Sequence, residues 1–489
     1  MLRRHHAVLA LVAAASSACS SAVETSDVAS SEDALLSAPD LIAVGSLSGN
    51  VSDLSSETAA ALENGIAGNL FGGVGSGLAY AGGNVFLGLP DRGPNAQSYD
   101  AAIDETASYV DRVHKLKLKL KPNKSTEALP YQLNATLKKT TLLYSTSPLV
   151  YGTGAGLGVG NGAPALNKKK TFYFTGRSDN FDRNQLSTYP NNARLDPESI
   201  RVSRDGKSVF ISDEYGPFVY EFARSSGKRL RAFSLPSKFA VPNLYPQGDV
   251  EISANTVGRV ANKGMEGLAI TPDGAALVGA MQSPLLQDGG TNGRFCRLVS
   301  IDVATGATHE YAYELTNIGS ATKPKYPTIS DIVAVNDHQF LVDERDGKGL
   351  GDDSAAAFKQ VNLIDLTGAT EVSGISGDAS LAGTAVAKTL LIDVVSVLTS
   401  HGIAAVDIPA KLEGLAFGPD VVLGGASYHT LFIGNDNDFT GTVTDGHHPS
   451  GIDNPNRWFV FAIPGSSLPG FEPQLIGDDG EDGDDAGDE

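Results

Sequence analysis

Two kinds of residue in this chain could do chemistry together: acids at the ends of short β-rich runs, and arginines beside some of them. Glu198-Ser199-Ile200 leads through an Asp205-Gly206 turn to Ile211-Ser212-Asp213-Glu214. Asp331-Ile332-Val333 leads through Asn336-Asp337 to Val342-Asp343-Glu344-Arg345. Two rougher copies run from Gly77-Leu78-Ala79-Tyr80 to Asp91-Arg92-Gly93 and from Glu413-Gly414-Leu415-Ala416 to Asn435-Asp436-Asn437-Asp438. Counting from the turn centre, Glu198 and Asp213 are expected face to face across an antiparallel pair. Facing carboxylates repel, so their repetition predicts a cation between them. The expected ligands are Glu198, Asp213, Glu214, Asp331, Asp343, Glu344, Glu413, Asp436 and Asp438. Oxygen ligands without cysteine or clustered histidine select a hard cation, with Ca²⁺ preferred outside the cytoplasm. Glu266 has Met281 and Gln282 opposite it rather than an acid, which makes it a lone ligand or general base. Arg92 and Arg345 are expected to hold phosphoryl or carboxylate oxygens bidentately.

The elements that must position these groups are hairpins. Met265 to Gly274 is the clearest, its turn being Thr271-Pro272-Asp273-Gly274, where Pro presets φ and Gly accepts φ > 0. From Glu198 to Glu266 is 68 residues and from Glu266 to Asp331 is 65, room for four strands with generous loops. The longer step from Gly77 to Glu198 is expected to hide a further unit. The pattern therefore predicts an all-β propeller of six blades, with seven possible, over residues 39–470. The strand near Leu41 would close the ring beside Arg457-Trp458-Phe459-Val460-Phe461. Val113 to Leu120 alternates apolar and basic residues and is expected as an amphipathic strand with a solvated lysine face at a sheet edge.

Composition limits the function classes. A net charge of −20 argues against nucleic acid, which needs basic patches. Residues 471–489 are expected as a disordered acidic tail. Arg3 and Arg4, the apolar run Ala7 to Ala15 and the small residues before Cys19 predict a signal peptide over 1–18 and export. Cys19 itself resembles the acceptor of a bacterial lipobox, although Ser16 stands where that motif usually has Leu. A lipid anchor at Cys19 and simple secretion both stay open, with 19–38 as a tether. The protein would be a periplasmic or cell-surface lipoprotein or a secreted one, a monomer, touching membrane only through that anchor. Cys296 is the only other cysteine and is expected as a small buried hydrophobe. Gly158, Gly160 and Ala163 match the dinucleotide fingerprint nominally, but Pro164 and three lysines follow instead of an apolar helix, so a mobile loop is expected. His447-His448 is read as a surface pair.

Asp91-Arg92-Gly93-Pro94, Asp196-Pro197-Glu198-Ser199-Ile200, Ser212-Asp213-Glu214-Tyr215-Gly216-Pro217, Glu266-Gly267-Leu268-Ala269, Gln282-Ser283-Pro284-Leu285, Asp343-Glu344-Arg345-Asp346-Gly347 and Asn435-Asp436-Asn437-Asp438-Phe439 occur in an order that resembles the phytase-like family, esterase-like activity of phytase. The resemblance covers roughly residues 70 to 465. It implies a secreted bacterial β-propeller and, by the family's name, hydrolysis of esters or phosphoesters. The function expected is a Ca²⁺-dependent hydrolase of small anionic phosphoesters or related esters. The alternatives are a ligand-binding or scaffold propeller without turnover and a lactonase-type carboxyl esterase.

Overall fold

The structure is a computed structural model that describes residues 35–124, 126–154 and 157–477. The expected signal peptide, Cys19, most of the tether and the acidic residues 478–489 lie outside the described residues. No helix among the described residues is long and apolar enough to cross a membrane.

Short strands of buried residues on both faces, separated by Gly- and Asp-rich turns, build five antiparallel blades of four main strands each, the last carrying Val421–Leu423 as a short fifth strand. Blade 1 contains Gly77–Tyr80, Val85–Leu89, Arg112–Pro122 and Tyr131–Leu142. Blade 2 contains Pro197–Val202, Ser208–Asp213, Phe218–Ala223 and Arg229–Ser234. Blade 3 contains Met265–Ile270, Ala276–Met281, Phe295–Asp302 and Thr308–Glu314. Blade 4 contains Thr328–Ala334, Gln339–Arg345, Lys359–Asp365 and Lys388–Asp393. Blade 5 contains Leu412–Phe417, Ala426–Asn435, Asn456–Pro464 and, from the other end of the chain, Asp40–Leu47. The first strand of each of the first four blades and Leu412–Phe417 form the inner ring. Each packs on two neighbours, and that of blade 5 packs on that of blade 1, so the ring closes.

The expectation of six blades is therefore corrected to five. The long step after Gly77 hides no blade. It holds the two long outer strands of blade 1 and one two-stranded pair, Tyr144–Ser145 with Phe172–Tyr173. The Lys-rich run is likewise not an edge. It pairs with Val85–Leu89 on one side and Tyr131–Leu142 on the other, with Leu116 and Leu118 fully buried. The closing strand behaves as expected, with Leu41 opposite Phe461 and Gly45 opposite Trp458. Cys296 is buried, as expected.

The core lies between blades rather than at the ring's centre. Leu87 and Val113 of blade 1 meet Ile200, Ile211 and Tyr220 of blade 2. Phe210, Val219 and Phe233 meet Leu268, Leu277 and Val299 of blade 3, and the remaining interfaces repeat the arrangement. A strand packed on both faces has no solvated side, which is why strict alternation is faint in the sequence. The turns follow their chemistry: Gly274 has φ +72° and its N–H donates to the Thr271 carbonyl at 2.8 Å.

The described start of the expected tail is bound to the ring. Phe471 packs on Phe417, the rings tilted by 54° with centroids 4.6 Å apart. The N–H groups of Glu472, Leu475 and Gly477 donate to the carbonyls of Val335, Pro272 and Arg204 at 2.8, 2.9 and 2.7 Å. Residues 471–477 thus cross the hairpin-turn end of the propeller. In the Gly-rich segment, Arg177 donates to the carbonyls of Val159 and Gly160 at 3.0 and 2.8 Å, while residues 155 and 156 lie outside the described residues.

Candidate functional site

Four inner strands break their pairing by one residue at the same height. Pro197 pairs with Asp213 and Ile200 with Ile211, and Met265 pairs with Met281 but Gly267 with Ala280. Ile329 pairs with Glu344 and Ile332 with Val342, and Leu412 pairs with Asn435 and Leu415 with Ile433. Each is a β-bulge, which adds one residue and re-aims a side chain away from the normal alternation. The residues in these bulges are Glu198, Glu266, Ser330-Asp331 and Glu413. This corrects the expected opposition of Glu198 and Asp213, because Pro197 stands opposite Asp213.

Glu198, Glu266 and Glu413 line a pocket of about 840 Å³ at this end of the ring, with Asp91, Arg92, Glu214, Arg345 and Asp436. Asp196 lies behind it, fully buried. Carboxylate oxygens of Asp196, Glu198 and Glu214 all lie within 4.8 Å of one another. Arg92 donates to Asp196 Oδ2 at 2.7 Å and contacts Asn262, with Glu214 at 3.8 Å. Arg345 donates to Glu413 and, through Nε, to Ser330 Oγ at 2.7 Å. Lys411 spans Asp436 Oδ2 at 2.7 Å and Asp438 Oδ1 at 2.5 Å. The two arginines are therefore ion-paired inside the site rather than standing free as clamps. At the rim, Lys263, Lys325 and Lys348 carry further positive charge.

Acids outnumber these partners, and the imbalance sets their proton affinities. Burial, then Glu266 and Asp196, pushes the Glu198 pKa well above the usual carboxylate range. Burial, then Glu214 and Glu413, does the same to Glu266, whose Oε2 has no hydrogen-bond partner. Asp91 is raised by burial and by Asp436. Glu214 rises to about 7 through burial and Asp196, and Asp436 rises to about 7 through burial, which outweighs the opposing pull of Lys411.

The remaining expected ligands point elsewhere. Asp213 caps its own turn, accepting from the N–H groups of Tyr215 and Gly216 at 3.0 and 3.1 Å. Asp343 is buried in blade 4, outside the pocket lining, its Oδ2 unpartnered. Glu344 accepts from Tyr313, Lys388 and the Thr316 N–H between blades 3 and 4. Asp438 is held by Lys411 outside the pocket lining. Asp331 sits on the ring axis. Its Oδ2 accepts from Arg201 Nη2 and the Leu415 N–H, both at 2.8 Å, and its Oδ1 from Ser199 Oγ at 2.9 Å. Arg201 reaches on to the Leu78 carbonyl at 2.7 Å, so this one ion pair ties inner strands of blades 1, 2, 4 and 5. The spacing aligns Asp331 with Glu266, but the bulge puts Ser330 at that position.

The sequence pattern does not mark Asp91, Asp196, Lys263, Gln282 and Lys411 as site residues, yet the structure brings them to the pocket or its wall. Asp196 lies two residues before Glu198, an acid-Pro-acid spacing that carried the signal; nothing in the sequence marked Lys411 apart from its place two residues before Glu413.

A model of the phytase-like family, described as esterase-like activity of phytase, matches residues 69–439. The chain belongs to this family. The phytase-like chain is 30% identical over 255 residues to a protein of Arthroderma benhamiae described as an uncharacterized secreted protein, an alignment covering 46% of this chain and 45% of that one. It thus spans less than half the length of that relative. Among solved structures it is similar to the periplasmic gluconolactonase PpgL of Pseudomonas aeruginosa, at 12% identity and TM-score 0.32, covering 87% of this chain and 99% of that chain. It is also similar to the PQQ-bound aldose sugar dehydrogenase of Streptomyces coelicolor, at 10% identity and TM-score 0.29, covering 88% and 95%.

The pocket's electrostatics give a pH prediction for the phytase-like chain without divalent cations. The folded pKa values of Glu214 and Asp436, about 7, lie above ordinary carboxylate values of 4.5 and 3.8. The folded state then binds more protons than the unfolded one across this window. Stability is full below about pH 4 for these groups and is lost as pH rises through about 7, each group contributing on the order of a few kcal/mol. Burial lowers Lys359 to about 8 from 10.5, which acts oppositely only above that pH. Thermal melts in EDTA should therefore show Tm falling from pH 5 to pH 8; a flat or rising profile would contradict the acid imbalance.

Proposed function

We propose that the protein is an exported hydrolase of small anionic esters, phosphoesters first among them, working with a bound Ca²⁺. The observation that carries this reading is the convergence of Asp196, Glu198 and Glu214 at a pocket whose Arg92, Arg345 and Lys411 are already paired with acids. The donor set is all oxygen and buried, and Glu198 accepts no hydrogen bond among the described residues, so the residues fit a hard cation. Asp196, Glu198 and Glu214 would hold it. A bound Ca²⁺ would polarise water and screen the substrate's negative charge.

The chain's own residues divide the remaining work. Lys263, Lys325 and Lys348 at the rim attract the anionic group of the substrate. Glu266, whose Oε2 is unpartnered, exchanges the proton during hydrolysis. Arg92 and Arg345 hold Asp196 and Glu413 in place. Export is supported by the secreted relative, and esterase chemistry by the family's description. The ion-paired arginines favour one second reading, a carboxyl esterase of the lactonase type, since a neutral ester needs no guanidinium clamp.

Calcium binding is tested on the triad. Wild-type protein should melt several degrees higher in millimolar Ca²⁺ than in EDTA, since a ligand at a hundredfold excess over Kd adds about 2.7 kcal/mol. Glu198→Gln should lose most of that gain, whereas Asp213→Asn should keep it because Asp213 is occupied by its own turn. Superimposable wild-type melts would remove the cation from the reading. Phosphomonoesters, phosphodiesters and lactones assayed with and without Ca²⁺ then separate the two ester classes from a site without turnover.

A further inference from the structure

The lysines of Arg112–Pro122 in blade 1 share one face. Leu116 and Leu118 of this strand belong to a core with Phe432 and Trp458 of blade 5. By the two-residue period of a strand, Lys115, Lys117, Lys119 and Lys121 therefore face blade 2. Lys115 and Lys117 pair with Leu87 and Val85, which belong to the core between blades 1 and 2. Lys139 of the outermost strand stands directly opposite Lys115. Arg224 and Gly227 of blade 2 line the same cleft as Lys115 and Lys139. Neither Arg112–Pro122 nor Tyr131–Leu142 contains an acid. Like charges set opposite each other across two strands repel, so an anion in the cleft would offset that cost. In a chain of net charge −20, this is a concentrated basic face.

The last described residues lie beside this cleft. Having crossed blades 4 and 3, the chain reaches blade 2, where Gln474 Nε2 donates to the Val202 carbonyl at 2.7 Å. Ile476 packs on the core between blades 1 and 2. Gly477 donates to the Arg204 carbonyl at 2.7 Å and sits against the backbone of Asp205. Arg224 meets the same turn, donating to the Gly206 carbonyl at 3.2 Å. Residues 478–489 follow, with eight acids and no base. Extended, these residues reach roughly 40 Å. The row from Lys115 to Lys121 spans only about 20 Å.

We propose that the cleft between the outer strands of blades 1 and 2 is the docking site of the chain's own acidic segment, residues 478–489. The segment begins at the mouth of the cleft, is long enough to follow the lysine row, and has the opposite charge. Its carboxylates offset the repulsion between Lys115 and Lys139, clasp blade 1 to blade 2, and close the basic face to outside polyanions.

Carbodiimide cross-linking of the full chain tests this directly, because it joins an acid to an amine without a spacer. At low salt, cross-links from residues 478–489 should concentrate on Lys115, Lys117 and Lys139. They should spare Lys323, Lys325 and Lys348, which are exposed on the pocket side of blades 3 and 4. In about 1 M NaCl, where the Debye length is about 3 Å, their yield should fall at least about tenfold. In a second full-length variant the eight acids are replaced by Asn and Gln. A peptide of residues 477–489 should bind that variant at low salt and fail to bind the wild type, whose cleft is filled. Adding Lys117→Glu and Lys139→Glu to the amide variant should abolish peptide binding; the cross-linking result stands whether or not that variant folds. Cross-links spread evenly over the exposed lysines, yields indifferent to salt, or equal peptide binding by wild type and amide variant would overturn the proposal. Equal capture of both proteins by phosphatidylglycerol vesicles would also overturn it, and would assign the cleft to an outside anionic surface.

Discussion

Asp331→Ala is expected to destabilise the fold by about 3–5 kcal/mol, the usual result of leaving one partner of a buried ion pair alone. Asp331 is fully buried on the ring axis and accepts from Arg201, Ser199 and the Leu415 N–H. Removing it leaves the Arg201 guanidinium, itself almost fully buried, with an uncompensated charge at the point where several inner strands meet. Urea denaturation should show the midpoint falling while the slope stays constant. The contrast with the sequence expectation is direct, since a metal ligand would lose Ca²⁺ affinity on substitution. Asp331→Asn, which keeps one acceptor oxygen, should bind Ca²⁺ like the wild type wherever it remains folded. A change of under about 1 kcal/mol in the alanine variant would show that the pair adds little beyond the packing around it.

Glu266→Gln is expected to reduce turnover by about 10²–10⁴-fold, the range for loss of one general acid or base. Glutamine keeps the shape while removing the exchangeable proton. Glu266 lies outside the Asp196–Glu198–Glu214 triad, so Ca²⁺ affinity should shift by far less than turnover does. The measurement is kcat on the best substrate of the ester panel beside a calcium titration of the same variant. Equal kcat in variant and wild type would reassign Glu266 to a purely electrostatic place in the pocket. Loss of calcium binding in step with kcat would make it a ligand instead.

The hairpin unit and the closing strand were legible because turn chemistry is local. Thr271-Pro272-Asp273-Gly274 and the apolar run at Arg457 to Phe461 say what they form without tertiary help. The acids around the pocket were legible in type and approximate place, and Glu198, Glu214, Glu266, Glu413 and Asp436 do converge. Register was not legible. A one-residue bulge reverses which side chain faces which way, and nothing in Glu198-Ser199-Ile200 announces it. Asp213 and Asp331 fit the ligand pattern by spacing and leave the pocket by register. The blade count failed for a different reason. Arg112–Pro122 and Tyr131–Leu142 are each about twice the length of the inner strands, so a spacing argument turned strand length into an extra repeat. Asp343 and Glu344 show a third limit: adjacent acids on one strand face opposite ways, and only one of each such pair can reach any pocket.

The outermost strand of blade 5 comes from residues 40–47 and pairs with residues 456–464. During synthesis residues 40–47 therefore wait for residues 456–464, with the whole ring in between. Until then both carry open backbone edges, the kind that recruits stray strands and drives aggregation. Contacts of such large sequence separation also slow folding, because loop closure must precede any stabilisation from the pairing. Refolding of the isolated chain should be limited by this final zipping step. A circular permutant that joins the two strands by a short loop, with new ends between two blades, should reach the native state faster and with less aggregate.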